Sequence, residues 1–599
     1  MENKKDKTVS LPWFGVPRLW PYVRPYKWKI VLMVFLGVLS SLIDAAYPLF
    51  NRYILNVTIG EGKTDTLPVV IILYLGVLLF QVWDNYYTIY SCARTELFTD
   101  RDLRNSAFGH IQTLSFSYFN QNNVGYIHAR LMSDTGKIGE LVAWRLMDTV
   151  WSGSYILFMI IIMFITSVRM AIGVIIFVPP VVFLVRYFQK KLLGLNRRVR
   201  EINSNITGDF NEGITGARSI KTLVAEDRMF EAFKKDTGEM ERTAVKTAHN
   251  SAFFITSVSF MSSLMLALIL YIGGHLNAQM LVGIGTLSVF MSYAMEMPEQ
   301  IQNLVSTFSS ILAVQVNIER FTALMDTESE VRDTPEVIEK YGDAFSPKKE
   351  NWEKLYGDVK FEKVSFTYPD GEDPVLTDFD LDIPRGSMVA IVGETGAGKS
   401  TLVNLVCRFF EPTEGRILID GRDARERSIS WLHDNIGYVL QTPHLFSGSV
   451  RENLRYGKPD ATDEEMYRAL DMVSAGDIVR KMEGGLDCDV GEGGGHLSAG
   501  ERQLISFARA ILKDPALLVL DEATSSVDSV TEKQLQNAVA TVISGRTSFV
   551  IAHRLSTITE ADIILAVRDG KIIEQGTHSE LMEAKGYYHS LYMQQFGIW

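Results

Sequence analysis

Gly393-Glu394-Thr395-Gly396-Ala397-Gly398-Lys399-Ser400 follows five apolar residues, Met388 to Val392, and opens into Thr401 to Phe410, which has the composition of a helix. The context is a short buried strand, a glycine-rich loop and a helix. Glycines let the loop backbone fold tightly enough for several N–H groups to point at one phosphate chain, and the following helix offers its positive N-terminal end to the same charge. Lys399 is placed to reach β- and γ-phosphates as a point charge, and the Ser400 hydroxyl is a ligand for Mg²⁺. A glycine turn carrying a solvated lysine is the plainer reading. The strand before and the helix after speak against it.

Leu517-Leu518-Val519-Leu520-Asp521-Glu522 is a second buried-strand run, and it ends in two carboxylates. Asp521 at the strand tip is placed to hold Mg²⁺, directly or through water, and Glu522 to polarise an attacking water. The two stretches together describe a P-loop ATPase of α/β type. Between the linker described below and the loop, Val359 to Phe366 alternates as a strand and leads to Tyr368-Pro369-Asp370. An aromatic there can stack on a base, although a tyrosine at a strand edge is ordinary by itself.

The rest of the 599 residues divides sharply. The first half has long apolar stretches with few charges, and the part after about Asp326 reads as a soluble protein, so at least two domains are expected. The formal charge of −12 belongs mainly to the soluble part and argues against a nucleic-acid partner. Cys92, Cys407 and Cys488 are scattered and form no disulfide framework or zinc spacing. Met1 to Ser10 is polar and lysine-bearing, and no removable signal peptide is read.

A membrane span needs about 20 apolar residues. Six segments meet or approach this: Ile30 to Phe50, Leu67 to Val82, Thr149 to Val168, Ala171 to Tyr187, Ser251 to Gly273 and Leu281 to Met297. Pro179-Pro180 is expected to kink the fourth. Basic residues from Lys4 to Lys29 precede the first span, and Arg186, Lys190, Lys191, Arg197, Arg198 and Arg200 follow the fourth, which places both termini in the cytoplasm. Leu19, Trp20, Tyr22, Val23 and Tyr26 suggest a segment lying in the inner interface. The connections Trp83 to Asp148 and Phe188 to Asn250 are helix-rich and far longer than crossing requires, so the spans are expected to continue as helices into the cytosol.

Acidic residues in or near the spans are Asp44, Asp84, Asp148, Glu296 and Glu299. Asp44 and Glu296 are the deeper ones; they either meet a cationic substrate or cap, pair or face water near helix ends. Phe290, Tyr293, Ala294 and Met297 share one face of the sixth span, and Met261 and Met265 one face of the fifth. Such a stripe either lines a permissive apolar pocket or packs helices together.

From Asp326 to about Trp352 the sequence is polar, holds Pro335 and Pro347, and reads as a linker. The expected division is a membrane domain over 1–325, a linker over 326–355 and a nucleotide-binding domain over 356–599. Leu497-Ser498-Ala499-Gly500-Glu501-Arg502-Gln503, just ahead of the acid-tipped strand, resembles the signature motif of ATP-binding cassette (ABC) proteins. Gln441 in Val439 to Pro443 resembles the Q-loop glutamine, Ser525-Ser526-Val527-Asp528 the D-loop, and His553 in Ile551 to Arg554 the switch histidine. Tyr368 falls where the family places its adenine-stacking aromatic, and Gly491-Glu492-Gly493-Gly494 resembles the X-loop of exporters. Leu114 to Phe119 with Gly125 is similar to the first coupling region of exporter-type half-transporters, and Asn211 to Gly216 with Ile220 and Lys221 to the second.

The resemblance implies a six-helix membrane domain fused to an ABC-type nucleotide-binding domain, with ATP and Mg²⁺ as cofactors. Tyr368 and Gly393, Glu394, Thr395, Gly396, Ala397, Gly398, Lys399, Ser400 and Thr401 would bind the nucleotide. Ser400, Gln441 and Asp521 would hold the metal. Glu522 would be the general base, with His553 and Gln441 sensing the γ-phosphate. Two cassettes would sandwich two ATP molecules head to tail, so that Ser498, Ala499, Gly500, Glu501 and Asp528 of one chain serve the nucleotide of the other. The family's usual signature has glycine at Ala499 and glutamine at Glu501; the methyl group could crowd the phosphate and the acid adds a like charge. The resemblance therefore favours a heterodimer over a homodimer. The function implied is ATP-driven export of hydrophobic or amphipathic compounds, with Asp44, Phe290, Tyr293, Glu296 and Met297 as candidate substrate contacts, in a bacterial inner membrane. An importer built on the same fold and an ATP-gated channel or sensor are the alternatives.

Overall fold

The computed structural model describes residues 15–371, 373–521, 529–551 and 558–596, with the side chains of Val16, 529–532 and 595–596 left aside. The chain forms two compact units: residues 1–110 with 125–326, and residues 111–124 with 327–599.

The first unit is helical. Its long helices are α1 (Lys27–Tyr53), α2 (Leu67–Gln112), α3 (Leu146–Thr166), α4 (Val178–Thr215), α5 (Glu226–Ala278) and α6 (Ile284–Met325). The 46 residues of α2 and 53 of α5, at about 1.5 Å per residue, are more than twice the roughly 30 Å of a hydrocarbon layer. The helical extensions expected beyond the spans are present. Among the described residues five helical segments are long and apolar enough to cross a membrane, Pro17–Ile59, Thr64–Gln112, Val124–Thr166, Val168–Thr215 and Glu226–Ala278. The expected sixth span lies in α6, which is helical but not among these five. The reason is its place in the bundle: α6 packs against α1, α3, α4 and α5. A helix surrounded by protein need not present an apolar face to lipid, and this one carries Glu296, Pro298, Glu299 and Gln300. The kink expected at Pro179-Pro180 is a break between the helices Val168–Ile175 and Val178–Thr215, and both prolines fall in the first turn of the second, where a missing N–H costs nothing.

The unit's core is rich in methionine: Met159, Met163, Met170, Met265 and Met297 pack with Tyr155, Phe254, Phe290 and Tyr293. Flexible thioethers fill the irregular gaps left where long helices cross.

The second unit is α/β. A four-stranded antiparallel sheet runs in the order β2-β1-β4-β5 and a six-stranded sheet in the order β10-β9-β3-β8-β7-β6. The strands are β1 (Val359–Phe366), β2 (Leu376–Ile383), β3 (Met388–Val392), β4 (Glu414–Ile419), β5 (Arg422–Asp423), β6 (Ile436–Val439), β7 (Leu517–Asp521), β8 (Thr547–Ile551), β9 (Ile563–Arg568) and β10 (Lys571–Gly576). β9, β3, β8, β7 and β6 are mutually parallel, and only β10 is antiparallel. Parallel strands covered on both faces read as continuous apolar runs, which is why every residue of β3 is buried. One core fills the space between the two sheets around the helix α7 (Lys399–Val406). Another lies under a helical layer that includes α8 (Ala499–Leu512).

Two segments depart from the expected domain division. Residues 327–355 belong to the second unit, fastened there by Asp333, which accepts from Arg408 Nη1 at 2.9 Å and from the Ile429 N–H. Residues 111–124, expected in the membrane domain, also belong to the second unit. Phe116 stacks on Phe409 with ring centres 5.4 Å apart, an aromatic contact that holds this short helix to the sheet domain.

Candidate functional site

The loop Gly393 to Gly398 leaves the carboxyl end of β3 and ends at the start of α7. Gly398 is its N-cap, in the left-handed region at φ 101°. Glycine is also demanded at Gly393 by space: a Cβ there would lie 2.2 Å from the Val567 carbonyl oxygen on β9. The Lys399 ammonium donates to the carbonyls of Gly393, at 2.7 Å, and Glu394, at 2.8 Å. Two of its three N–H groups thus arch the side chain over its own loop, and the third is left for an anion. Burial lowers the Lys399 pKa below the ordinary lysine range, opposed by the attraction of Asp521. Glu394, Thr395, Gly396 and Ser400 are exposed, whereas Ala397 and Thr401 are buried.

Sheet register brings the remaining described groups to the same edge. Ile391 on β3 pairs with Ile551 on β8, which pairs in turn with Asp521 on β7. Asp521 therefore stands two strand spacings, about 9–10 Å, from the base of the loop. β6 lies beside β7, with Val439 opposite Leu520, so Gln441, two residues past the strand and exposed, leaves the same edge. Ligands of open parallel sheets bind beyond the carboxyl ends of the strands. Ser400, Gln441 and Asp521 supply the hard oxygen donors that Mg²⁺ prefers, so the donor set fits that ion. Glu522, Asp528 and His553 lie outside the described residues.

Tyr368 hydrogen-bonds Thr401 through its hydroxyl at 3.0 Å and meets Phe366 and Phe410 edge-on, with ring centres 4.8 and 5.2 Å away. It borders a cavity of about 420 Å³ that Ser117, Asn120 and Gln121 also line. The sequence singled out Leu114 to Phe119 but carried no sign that the next turn reaches the edge of this cavity.

The signature lies at the start of α8. Ser498 is its N-cap and forms a reciprocal capping box: the Glu501 N–H donates to Ser498 Oγ at 3.3 Å, and the Ser498 N–H donates to Glu501 Oε2 at 2.8 Å. The carboxylate expected to add a like charge is turned back onto the helix's own positive end. The pattern Ser-x-x-Glu was legible in the sequence. Ser498 and Ala499 are exposed and Gly500 is buried. Arg502 Nη1 donates to the carbonyls of Leu497, at 2.6 Å, and Gly494, at 3.3 Å, which ties the X-loop to the signature. Gln503 reaches the Leu440 carbonyl at 3.5 Å, next to Gln441.

In the membrane unit Asp44 accepts from Gln81 and, at 3.2 Å, from Trp151 Nε1. Tyr155 donates to Glu296, and its ring lies parallel to Trp151 with centres 5.5 Å apart. The two acids thus belong to one network. Both are half-buried. Phe290, Tyr293 and Met297 are packed inside the helix core, at most 1 % exposed, and Tyr293 donates to the Ala45 carbonyl at 2.5 Å. Within this chain that face is filled by helix packing.

Two family models match the chain: the ABC transporter transmembrane region over residues 30–297 and the ABC transporter domain over 376–525. The chain is 31% identical over 605 residues to the ATP-dependent lipid A-core flippase of Escherichia coli (strain K12), covering 100% of both. It is 32% identical over 595 residues to the ABC transporter ATP-binding protein YknV of Bacillus subtilis (strain 168), covering 99% of this chain and 96% of that one. Among solved structures it resembles a bacterial Atm1-family ABC exporter with ATP bound, with a TM-score of 0.76 and 25% identity over 96% of this chain and 98% of that chain.

Proposed function

The chain belongs to the ABC transporters, with an exporter-type membrane region ahead of its ATP-hydrolysing domain, and from that premise we propose that it is one half of a dimeric pump for hydrophobic or amphipathic compounds. The observation that carries this reading is the exposed, capped start of α8, which presents Ser498 and Ala499 at the surface of the domain. The phosphate loop of the same chain starts a different helix, α7, in the other core of the domain. A site that needs both is completed by a second chain.

In that composite site Lys399 and the loop N–H groups of one chain hold the β- and γ-phosphates, while Ser498 and Gly500 of the other close over the γ-phosphate. Ser400, Gln441 and Asp521 would hold Mg²⁺, which supplies charge neutralisation on the phosphates when bound. Glu522 takes a proton from the attacking water, His553 positions the γ-phosphate, and Asp528 serves across the dimer. Tyr368 stacks on the base. The work is positioning and electrostatics, with no covalent intermediate on the protein.

The partner is a second half-transporter. The capping box makes Glu501 compatible with a working signature, and the exposed Ala499 methyl favours a heterodimer whose other chain has glycine there. Half-buried Asp44 and Glu296 are the substrate-facing groups, with Phe290, Tyr293 and Met297 behind them. The likeness to a lipid A-core flippase supports an amphipath with long apolar chains. Lysine and arginine placement supports cytoplasmic termini, and the bacterial relatives support an inner membrane. The test is ATP-driven movement of a fluorescent lipid across proteoliposomes. Movement lost in Lys399→Ala and Glu522→Gln is the expected result; movement without ATP, or unchanged in both variants, would sink the proposal.

A further inference from the structure

One face of α2 carries Asp84, Thr88, Cys92, Thr95 and Thr99, all within an arc of about 80° on a helix of 3.6 residues per turn. All five are buried, and Asp84, Thr95 and Thr99 are 0% exposed. Among the described residues neither carboxylate oxygen of Asp84 has a hydrogen-bond partner, and neither does the hydroxyl of Thr88, Thr95 or Thr99. A buried helical threonine ordinarily returns its hydroxyl to the carbonyl one turn back. Thr149, Thr247 and Thr322 of this chain, half-buried or buried, do so at 2.8 Å. The stripe on α2 does not.

Among the described residues Asp84 also has no compensating positive charge. Its charged neighbour is Asp44, whose own oxygens are taken by Gln81 and Trp151. The Ser40 hydroxyl comes close to Asp84 but lies in bonding geometry only toward Asn85 Oδ1, at 3.3 Å. What results is one uncompensated carboxylate among hydroxyl oxygens, sealed from solvent at the end of a membrane-length apolar stretch. Intramembrane acids persist where a partner or an ion meets them. Hard oxygens select a hard cation, and because the oxygens of neighbouring Asp44 are already taken by Gln81 and Trp151, one carboxylate is left to meet it, which favours a monovalent ion.

We propose that Asp84, with Thr88 and Ser40, binds a small monovalent cation of the size of Na⁺, and that Thr95 and Thr99 line its approach along α2. The fifteen helical steps from Asp84 to Thr99 span about 22 Å at 1.5 Å per residue. The orphan groups fall in two pairs with Cys92 between them, Thr88 one turn from Asp84 and Thr95 and Thr99 farther along the same face. A proton would need only one of these oxygens.

The inference rests on the membrane reading and is independent of the nucleotide chemistry. The test is equilibrium binding of ²²Na⁺ to the purified full chain in lipid nanodiscs, with choline replacing sodium at constant ionic strength. Saturable binding is expected, weakened at least tenfold in Asp84→Asn and Thr88→Val and retained in Thr88→Ser, which keeps the hydroxyl and controls for folding. Lys399→Ala should bind Na⁺ normally while losing ATP-driven transport, so failure of the transport reading is told apart from failure of this one. Absence of saturable binding, or binding unchanged in Asp84→Asn, overturns the proposal. So does a melting temperature that responds to pH through Asp84 but not to Na⁺.

Discussion

Replacing Glu501 with alanine removes the acceptor of the 2.8 Å hydrogen bond from the Ser498 N–H and the carboxylate from the first turn of α8. A capping bond contributes about 0.5–1.5 kcal/mol and a first-turn acid on an exposed helix about 0.3–1 kcal/mol. Together they shift the order of the signature turn by roughly 1–2 kcal/mol, a factor of about 5–30 in the ratio of ordered to disordered signature turns. Glu501→Gln keeps an acceptor at the same reach and loses only the charge. Phosphate release by the assembled dimer in lipid should therefore fall about 5- to 30-fold in Glu501→Ala and by no more than about fivefold in Glu501→Gln. The reasoning is refuted if the two variants behave alike, or if the alanine variant is the faster of the two, since Glu501 would then act by repelling phosphate rather than by holding the helix start.

Gly393→Ala places a methyl group 2.2 Å from the Val567 carbonyl; the forced backbone shift should weaken nucleotide binding by about tenfold or more, measured with a fluorescent ATP analogue. Arg408 is 3% exposed and held by Asp333, Glu411 and the Arg427 carbonyl. Arg408→Met strands Asp333 and should cost about 3–5 kcal/mol, read as a drop of several degrees in the melting temperature of the nucleotide-binding unit, which Asp333→Asn in the same chain should partly restore. The half-buried His433 ring bonds the Cys407 carbonyl at 2.8 Å, and desolvation holds its pKa below the usual histidine value. Only the unfolded chain then takes up a proton as pH drops below about 6.5, so its contribution is full above that pH and is lost below it. The fall in melting temperature between pH 7 and pH 5 should be shallower in His433→Gln, and an unchanged slope would remove His433 as a cause.

Much of the nucleotide site was legible because it is built from contiguous runs. The phosphate loop, the acid-tipped β7 and the signature are each local, with the strand or helix that positions them written beside them. The spans were legible wherever a helix faces lipid. The expected sixth, Leu281 to Met297, lies largely in the helix α6 but falls short of membrane-span hydropathy, since Glu296, Glu299 and Gln300 lower it without preventing a helix. The attachment of residues 111–124 to the second unit depends on Phe116 meeting Phe409, a long-range contact with no local signature. The partners of Asp44 were equally invisible, since Gln81 and Trp151 come from two other helices. Conversely, the Ser498–Glu501 capping box was present as a four-residue pattern and was obscured because Glu501 departs from the family signature.

The central claim is that one chain's signature completes another chain's nucleotide site. It is tested most directly by measuring steady ATP hydrolysis across size-separated fractions of the lipid-embedded protein, with the mass of each fraction recorded and Glu522→Gln as the control. Hydrolysis confined to dimeric fractions, whether of this chain alone or with a co-expressed second half-transporter, and abolished by Glu522→Gln, is the predicted result. Equal hydrolysis per chain in monomeric fractions would contradict it.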